Sequence, residues 1–521
     1  MPWDHGYYTG QTYCPTVMPE MAPAWMDFAA LVKGQAPPRD REGAPFRYLD
    51  LGCGTGLGLC LLAALYPEGD FLGVDFMPAH IAEGRWLARS LQLDNVRFLE
   101  GDLVELADRP QSVGEAFDYV VAHGLYTWVD ATVQEAVLNL TEQVLLPGGL
   151  FYCSYNTQPG WLGRSAFRML ARLERDRHPS HAPRQAFDAA QRRLEAVLSH
   201  AEAPFSQSQP QLLQQLPQGA VAQNLSYLCG EYFAEAWQPL YVSEVHPRFR
   251  AHKLEPVATA TLSQLHEGFL NPAVAPLVLE EHDPMLRQAT FDLLLNQGFR
   301  RDLCAKGVRP LPETVTLQRL LEVPLQRLDL RPCQSYTYQT PFGLIDLEPK
   351  GVRQLENALG SGAMAIGDLC LSLGEDLDTL LPRVLLLLEN RRIGLARGQA
   401  APAAETVHRI NQQLRRWCQQ GYGINHQLLP AVGTALSLPL VESMLLDGLL
   451  DGLKEDALTS CILMALNASG EPLRNKEGQP VQTIEEQAEQ IQRMLQTMET
   501  CVLPLMIQCG GLHTAAATQG P

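Results

Sequence analysis

Leu49-Asp50-Leu51-Gly52-Cys53-Gly54-Thr55-Gly56 stands where a short apolar run gives way to a helical pattern. Glycines suit such a turn because the backbone must bend tightly and approach a ligand without side chains in the way. Outward from this stretch, residues 47–154 alternate short apolar runs with helical periodicity, the pattern of a parallel sheet with crossover helices. Strands are predicted at Arg47–Asp50, Phe71–Asp75, Val96–Glu100, Phe117–Ala122 and Leu150–Ser154, and helices at Leu57–Ala64, Pro78–Leu91 and Asp130–Leu145. Each strand ends in a small or acidic residue, and open α/β sheets bind ligands at those carboxyl ends.

A Gly-x-Gly turn alone does not choose the ligand. The dinucleotide fingerprint calls for glycine at position 57, where Leu57 stands. Asp50, two residues ahead of the first glycine, suits a sulfonium amino acid, since a carboxylate there can organise a methionine ammonium directly or through water. Asp75 closes the second strand, where a carboxylate can accept both ribose hydroxyls. Gly101-Asp102-Leu103 follows the third strand, where an acid can take the adenine amino proton beside an apolar wall. Leu145-Leu146-Pro147-Gly148-Gly149 precedes the fifth strand in the manner of class I methyltransferases. Singly, each acid is as readily a strand or helix cap. In order and in register they specify S-adenosylmethionine, with Asp50, Gly52, Cys53, Gly54, Gly56, Asp75, Phe76, Asp102, Leu103, His123 and Gly124 as the expected cofactor-binding residues.

Two further segments carry a resemblance. Val121-Ala122-His123-Gly124-Leu125-Tyr126-Thr127-Trp128-Val129 and Ser154-Tyr155-Asn156-Thr157-Gln158-Pro159-Gly160-Trp161 resemble motifs of one branch of class I methyltransferases. That branch carries a methyltransferase regulatory domain and includes the rickettsial outer-membrane-protein lysine methyltransferases. Tyr227-Leu228-Cys229-Gly230-Glu231-Tyr232 is similar to the regulatory domain's Tyr-x-x-His-Glu-Tyr, and Phe291-Asp292 through Phe299-Arg300-Arg301 to its Asp-Phe and Phe-Arg segment. Gly230 replaces the family's His, and Gln297-Gly298 stands where Asn-Arg is usual. The resemblance implies an α/β fold, a Rossmann-like class I methyltransferase sheet followed by mixed and mainly helical accessory domains, one winged-helix-like. The division expected is 1–165 for the cofactor core with an N-terminal lid, 166–217 for a helical insertion and linker, 218–306 for the regulatory domain, 307–400 for the winged-helix-like module and 401–521 for a helical C-terminal domain.

The loops after strands four and five face the methyl group in this fold. Tyr155 and Asn156 are the candidates for orienting an acceptor, with Tyr126 and Trp128 as walls. Tyr155 and Asn156 could equally brace a turn with Pro159-Gly160, and Trp128 could simply pack. His123 is a candidate general base, with adenine contact or helix capping as alternatives. Tyr7, Tyr8 and Tyr13 precede a predicted helix at Pro19–Val32 and suit a lid or surface packing. Arg164, Arg168, Arg172 and Arg175 share one helix face, read as a solvated stripe pairing with acidic neighbours. Residues 204–217, rich in Gln, Ser and Pro, read as a linker.

Composition narrows the rest. The 521 residues carry a net charge of -18, with 8 Lys and Arg against 20 Asp and Glu in residues 1–163. Phosphate-backbone binding depends on Lys and Arg releasing counterions, so a nucleic-acid partner is not expected. No apolar run reaches membrane-span length, and the first eight residues do not resemble a secretory signal. Twelve cysteines without a Cys-x-x-Cys read as reduced thiols of a cytoplasmic protein. His178 and His181 lack a carboxylate partner, so no metal is expected. The expectation is a methyltransferase acting on lysine side chains of a protein. A small-molecule, sugar or lipid-precursor acceptor and a non-catalytic cofactor-binding platform are the alternatives. A homodimer is compatible with the apolar helical half.

Overall fold

The computed structural model describes residues 5–10, 17–39, 41–114, 116–332, 335–398, 401–469, 473–475, 479–481 and 483–512. A seven-stranded sheet organises the N-terminal 306 residues. Its strands are β1 (Phe46–Leu51), β2 (Gly69–Asp75), β3 (Val96–Glu100), β4 (Phe117–Ala122), β5 (Leu145–Asn156), β6 (Leu254–Thr259) and β7 (Phe299–Lys306), in the order β3-β2-β1-β4-β5-β7-β6. The first five are parallel, and β7 pairs antiparallel with both β5 and β6. Sequence reading located the first five strands. It did not anticipate that two strands from residues 254–306 complete the same sheet, so this segment is built into the cofactor-binding half.

Helices cover both faces, which is why the central strands are apolar on both sides. On one face lie α1 (Pro23–Val32), α2 (Leu57–Leu65) and α3 (Pro78–Leu91), and their core runs on into residues 320–435. α2 is apolar almost all round because it is enclosed there. On the other face α4 (Leu103–Asp108) and α5 (Ala131–Val144) pack with the helix Val242–Ala251. Asp102 and Asp130 cap α4 and α5 by accepting from amides of their first turns.

Residues 164–233 form a separate layer. α6 (Arg164–Arg177) and α7 (Pro183–Leu198) pack with the helix Leu225–Phe233 around Trp161, Phe167, Phe187 and Trp237. The predicted linker is part of this layer: it forms short helices at Pro204–Ser208 and Leu212–Gln215, and Leu212 and Leu216 are buried. The arginine stripe also differs from its reading. Arg164, Arg168 and Arg175 lie over Trp161, Trp237 and Phe233 at 5.2, 4.7 and 5.1 Å. Arg168 and Arg175 donate to the carbonyls of Ala234 and Phe233, and Arg175 also meets Asp176. Aromatic faces and carbonyls, more than acids, hold the stripe.

The segment expected to be winged-helix-like holds β8 (Pro324–Arg327), β11 (Met364–Ala365) and β12 (Ile393–Leu395) in one antiparallel sheet. A hairpin of β9 (Thr337–Thr340) and β10 (Gly343–Asp346) and four helices accompany it. The C-terminal part is helical around a hairpin of β13 (His426–Leu429) and β14 (Thr434–Ser437). Among the described residues, no helix is long and apolar enough to cross a membrane, and no group of three or more His, Cys, Asp or Glu could hold a metal ion.

Candidate active site

A cavity opens at the carboxyl ends of β1 to β4, where the glycine loop turns into α2. Gly54 adopts φ +56, and a Cβ built on it meets nothing within 4 Å, so the loop backbone is bare toward the cavity. Gly56 needs its own conformation, φ +76, and a side chain there would run into the Phe98 ring. Asp50, Asp75 and Asp102 end three neighbouring strands or follow them directly, and all three line the cavity. So do Gly52, Cys53, Phe76, Leu103, His123, Gly124 and Trp128. The expected cofactor residues are therefore brought together on one wall.

The acids differ in what already occupies them. Asp75 Oδ2 accepts from the Gly54 amide at 3.0 Å, and Oδ1 accepts from the Met77 amide at 2.9 Å and faces His80 Nδ1 at 3.1 Å. Asp102 Oδ1 caps α4 through Val104 N, and its Oδ2 meets His5 Nε2 at 2.8 Å. Burial pushes the Asp50 carboxyl up to about 7, with the nearby Asp75 carboxylate adding. A cation beside Asp50 would reverse that shift. Three acceptors, a bare loop and apolar Phe76 and Leu103 together fit an adenosyl amino acid with an ammonium group.

The N-terminal segment lies across this wall. Besides Asp102, His5 approaches Asp130 at 3.6 Å. Tyr7 contacts Phe76 edge-on at 5.6 Å between ring centres and Trp128 at 6.4 Å. The Gly6 carbonyl accepts from Glu235 and Ala236, and Tyr8 packs on Phe233. The segment thus ties the cofactor loops to the regulatory side. Tyr13 lies outside the described residues.

The candidates for acceptor chemistry separate. Trp128 lines the cavity and fills the space over Gly230, where a Cβ would stand 2.5 and 2.6 Å from its ring. Gly230 thus leaves room for the indole where the family has His. His123 lines the cavity, its Nδ1 pairs with Tyr152 OH at 2.9 Å, and burial lowers it to about 4, with nearby Arg301 adding and Glu20 opposing. A ring so reluctant to take a proton is a poor general base. Tyr155 and Tyr126 are not brought to the cavity: both are buried beneath the opposite face of the sheet, against Phe249. Tyr155 OH donates to Asp302 at 2.6 Å, and His246 and Arg300 hold the same carboxylate. Asn156 also turns away, donating to Glu231 Oε2 at 3.0 Å. Period-two alternation along β5 causes this split: Ser154 points to the site, accepting from Gly124 N at 2.9 Å, while Tyr155 points to the other face.

Several residues at or near the site escaped sequence reading. His5 and His80 line the cavity, and so do Gly433, Thr434 and Ala435 of the C-terminal hairpin. The spacing of His80 five residues after Asp75, one turn into α3, could have flagged it. Nothing local points from residue 433 to residue 52. Buried Glu231, the residue after Gly230, is pushed up to about 7 by burial against its bonds from Trp237 and Asn156.

Residues 44–204 match the family model described as a methyltransferase domain, and residues 224–306 the one described as a predicted methyltransferase regulatory domain. An uncharacterised protein of Synechocystis sp. is 28% identical over 531 residues, spanning 98% of this chain and 100% of that protein. An uncharacterised protein of Rickettsia prowazekii is 28% identical over 266 residues, 49% of this chain and 45% of its own length. Trans-aconitate 2-methyltransferase of Methylobacterium nodulans is 32% identical over 160 residues, 31% of this chain and 55% of that enzyme. In fold the chain is similar to PKMT2 from Rickettsia typhi, solved in complex with AdoHcy, at a TM-score of 0.68 and 18% identity, over 96% of this chain and 99% of that one.

Proposed function

This chain carries a class I, S-adenosylmethionine-dependent methyltransferase domain joined to a methyltransferase regulatory domain, and from that premise we propose that it methylates lysine side chains of a protein substrate. The observation that carries the reading is the aromatic mouth beside the glycine loop, where Tyr7, Phe76 and Trp128 line one cavity. Aromatic faces pack the methylene stem of a lysine and attract the positive charge that develops on its nitrogen as the methyl transfers.

When bound, S-adenosylmethionine supplies an electrophilic methyl group on a sulfonium. Asp50 would hold the cofactor's ammonium and Gly54 the close backbone contact, while Asp75 would face the ribose. The aromatic mouth excludes water and aligns the amine for in-line displacement. An ammonium has no lone pair, so the lysine must give its proton to bulk water before it enters the mouth, and apolar walls favour the entry of the free amine by lowering its pKa. His123, neutral and paired with Tyr152, shapes the wall and is not needed as a base.

One observation favours a second reading. Beyond the glycine loop the cavity runs on between Met18, Pro19, Met21 and Ala22, the α2 leucines Leu57, Leu61, Leu62 and Leu65, and Gly433–Ala435. The walls of this arm suit an apolar small-molecule acceptor. Methyl transfer from labelled S-adenosylmethionine into a fractionated lysate separates the readings, with Asp75→Ala abolishing the signal. Label recovered as methyl-lysine supports the first and label in small molecules or lipids the second. No label despite AdoHcy binding would leave a non-catalytic platform.

A further inference from the structure

Asp75 cannot take both hydroxyls of a ribose as it stands. An ionised carboxylate offers about four lone-pair positions, two on each oxygen. Asp75 Oδ1 uses both of its own, on the Met77 amide at 2.9 Å and on His80 Nδ1 at 3.1 Å. Oδ2 uses one, on the Gly54 amide at 3.0 Å. One position remains.

The missing acceptor is next to it. A carboxylate only accepts, so the hydrogen between the two groups sits on His80 Nδ1, and in the neutral tautomer that this selects Nε2 carries a lone pair. The His80 residue is 2% exposed, its buried Nε2 meets no donor among the described residues, and the residue lines the same cavity as Asp50 and Gly54, so a small turn of the ring is what brings Nε2 to a ligand there. A buried acceptor without a donor is costly, and a ligand donor removes the cost. Two acceptors on adjoining side chains call for two adjacent donors, and a vicinal diol is that group.

We propose that Asp75 and His80 together read the ribose diol of the cofactor, one hydroxyl donating to Asp75 Oδ2 and the other to His80 Nε2. His80 is then a cofactor-contacting residue that the glycine-loop and strand-end motifs do not include. The inference rests on the cofactor reading and deepens it.

Calorimetric titration tests it with AdoHcy and with its 2′-deoxy and 3′-deoxy forms, on the full chain and on His80→Met and His80→Gln. Wild type should lose about tenfold in affinity for each deoxy form, the scale of one hydrogen bond in a dry site. His80→Met should weaken AdoHcy by a similar factor yet bind one deoxy form as well as wild type does, because that form lacks the hydroxyl His80 would accept. His80→Gln, which keeps an acceptor, should retain most of the discrimination. Equal weakening of all three ligands by His80→Met would reveal a packing role only and overturn the proposal. So would a wild type indifferent to one of the hydroxyls. Absence of AdoHcy binding by folded wild type would overturn the cofactor reading, and the proposal with it, whereas normal AdoHcy binding by His80→Met overturns the proposal alone.

Discussion

Gly230→Ala sets two physical effects against each other. Gly230 lies inside the helix Leu225–Phe233, where alanine is ordinarily better than glycine by about 1 kcal/mol. Helix propensity alone therefore has the substitution stabilise the protein. The packing says otherwise. The added Cβ would stand 2.5 Å from Trp128 Cζ3 and 2.6 Å from Cη2, roughly 1 Å inside the usual 3.5–4.0 Å carbon contact. Trp128 is 4% exposed and in contact with Tyr7, so its ring can yield only by moving into the cavity it lines. Overpacking of this kind costs about 1–3 kcal/mol, which outweighs the helix gain by about 1 kcal/mol at the middle of the range. Gly230→Ala should lower the melting temperature and weaken AdoHcy binding. Trp128→Phe, which removes the two ring atoms in question, should suppress both effects in the double variant, with a coupling energy of at least about 1 kcal/mol. A higher melting temperature for Gly230→Ala, or strictly additive effects, would refute the reasoning and leave the glycine without a packing explanation.

Four further outcomes are expected. AdoHcy affinity should be full above pH 7 and fall below it, approaching tenfold per unit, because Asp50 sits at about 7 in the free protein and its neutral form cannot pair with an ammonium; a flat calorimetric profile from pH 5 to 9 would contradict this. The same raised carboxyl destabilises the folded chain above its unfolded value, so its contribution to stability has the opposite sign, improving by roughly 1.4 kcal/mol per unit as pH falls from about 7 toward 4. Tyr155→Phe should cost about 1.5–3 kcal/mol through its lost bond to the Asp302 carboxylate while kcat and KM of the folded enzyme stay near wild type; a large loss of kcat alone would return Tyr155 to the chemistry. Arg397 is fully buried, meets Glu42 at 2.6 Å and Glu68 at 2.5 Å, and lies over the Tyr66 ring at 3.9 Å. Arg397→Met should therefore destabilise by about 3–5 kcal/mol and raise hydrogen exchange at residues 66–68 and 430–435, where an unchanged exchange pattern would show that this contact does not hold the two halves together.

Legibility followed locality. β1 to β4 were readable because parallel strands buried on both faces appear as apolar runs, each punctuated here by Asp50, Asp75, Glu100 or Ala122. The glycine loop was readable because backbone strain and close approach leave few residue choices. β5 was placed five residues late, since Pro147-Gly148-Gly149 reads as a turn although the strand runs Leu145–Asn156. β6 and β7 were missed as members of the sheet because their pairing, such as Cys153 with Asp302, spans well over a hundred residues and leaves no local periodicity. The linker reading failed for a subtler reason. Leu212 and Leu216 are four apart, a helical spacing that the surrounding Gln, Ser and Pro obscured.

The same alternation that misplaced Tyr155 explains what the distinctive motif after β5 does. Ser154 accepts from Gly124 of the cavity wall, Tyr155 donates through the sheet to Asp302 on β7, and Asn156 donates to Glu231 beside the Trp128 platform. Three consecutive residues thus reach three different parts of the molecule, two of them in the segment that matches the regulatory domain. A strand end wired in this way is a seam. It joins β7 and the helix Leu225–Phe233 to the cavity wall through β5, and the same helix also meets the wall directly where Gly230 packs on Trp128. The resemblance in this motif therefore reports the joining of the two matched domains, and the groups that face the cofactor are to be sought at the carboxyl ends of β1 and β2 and in the first turn of α3, where Asp50, Asp75 and His80 stand.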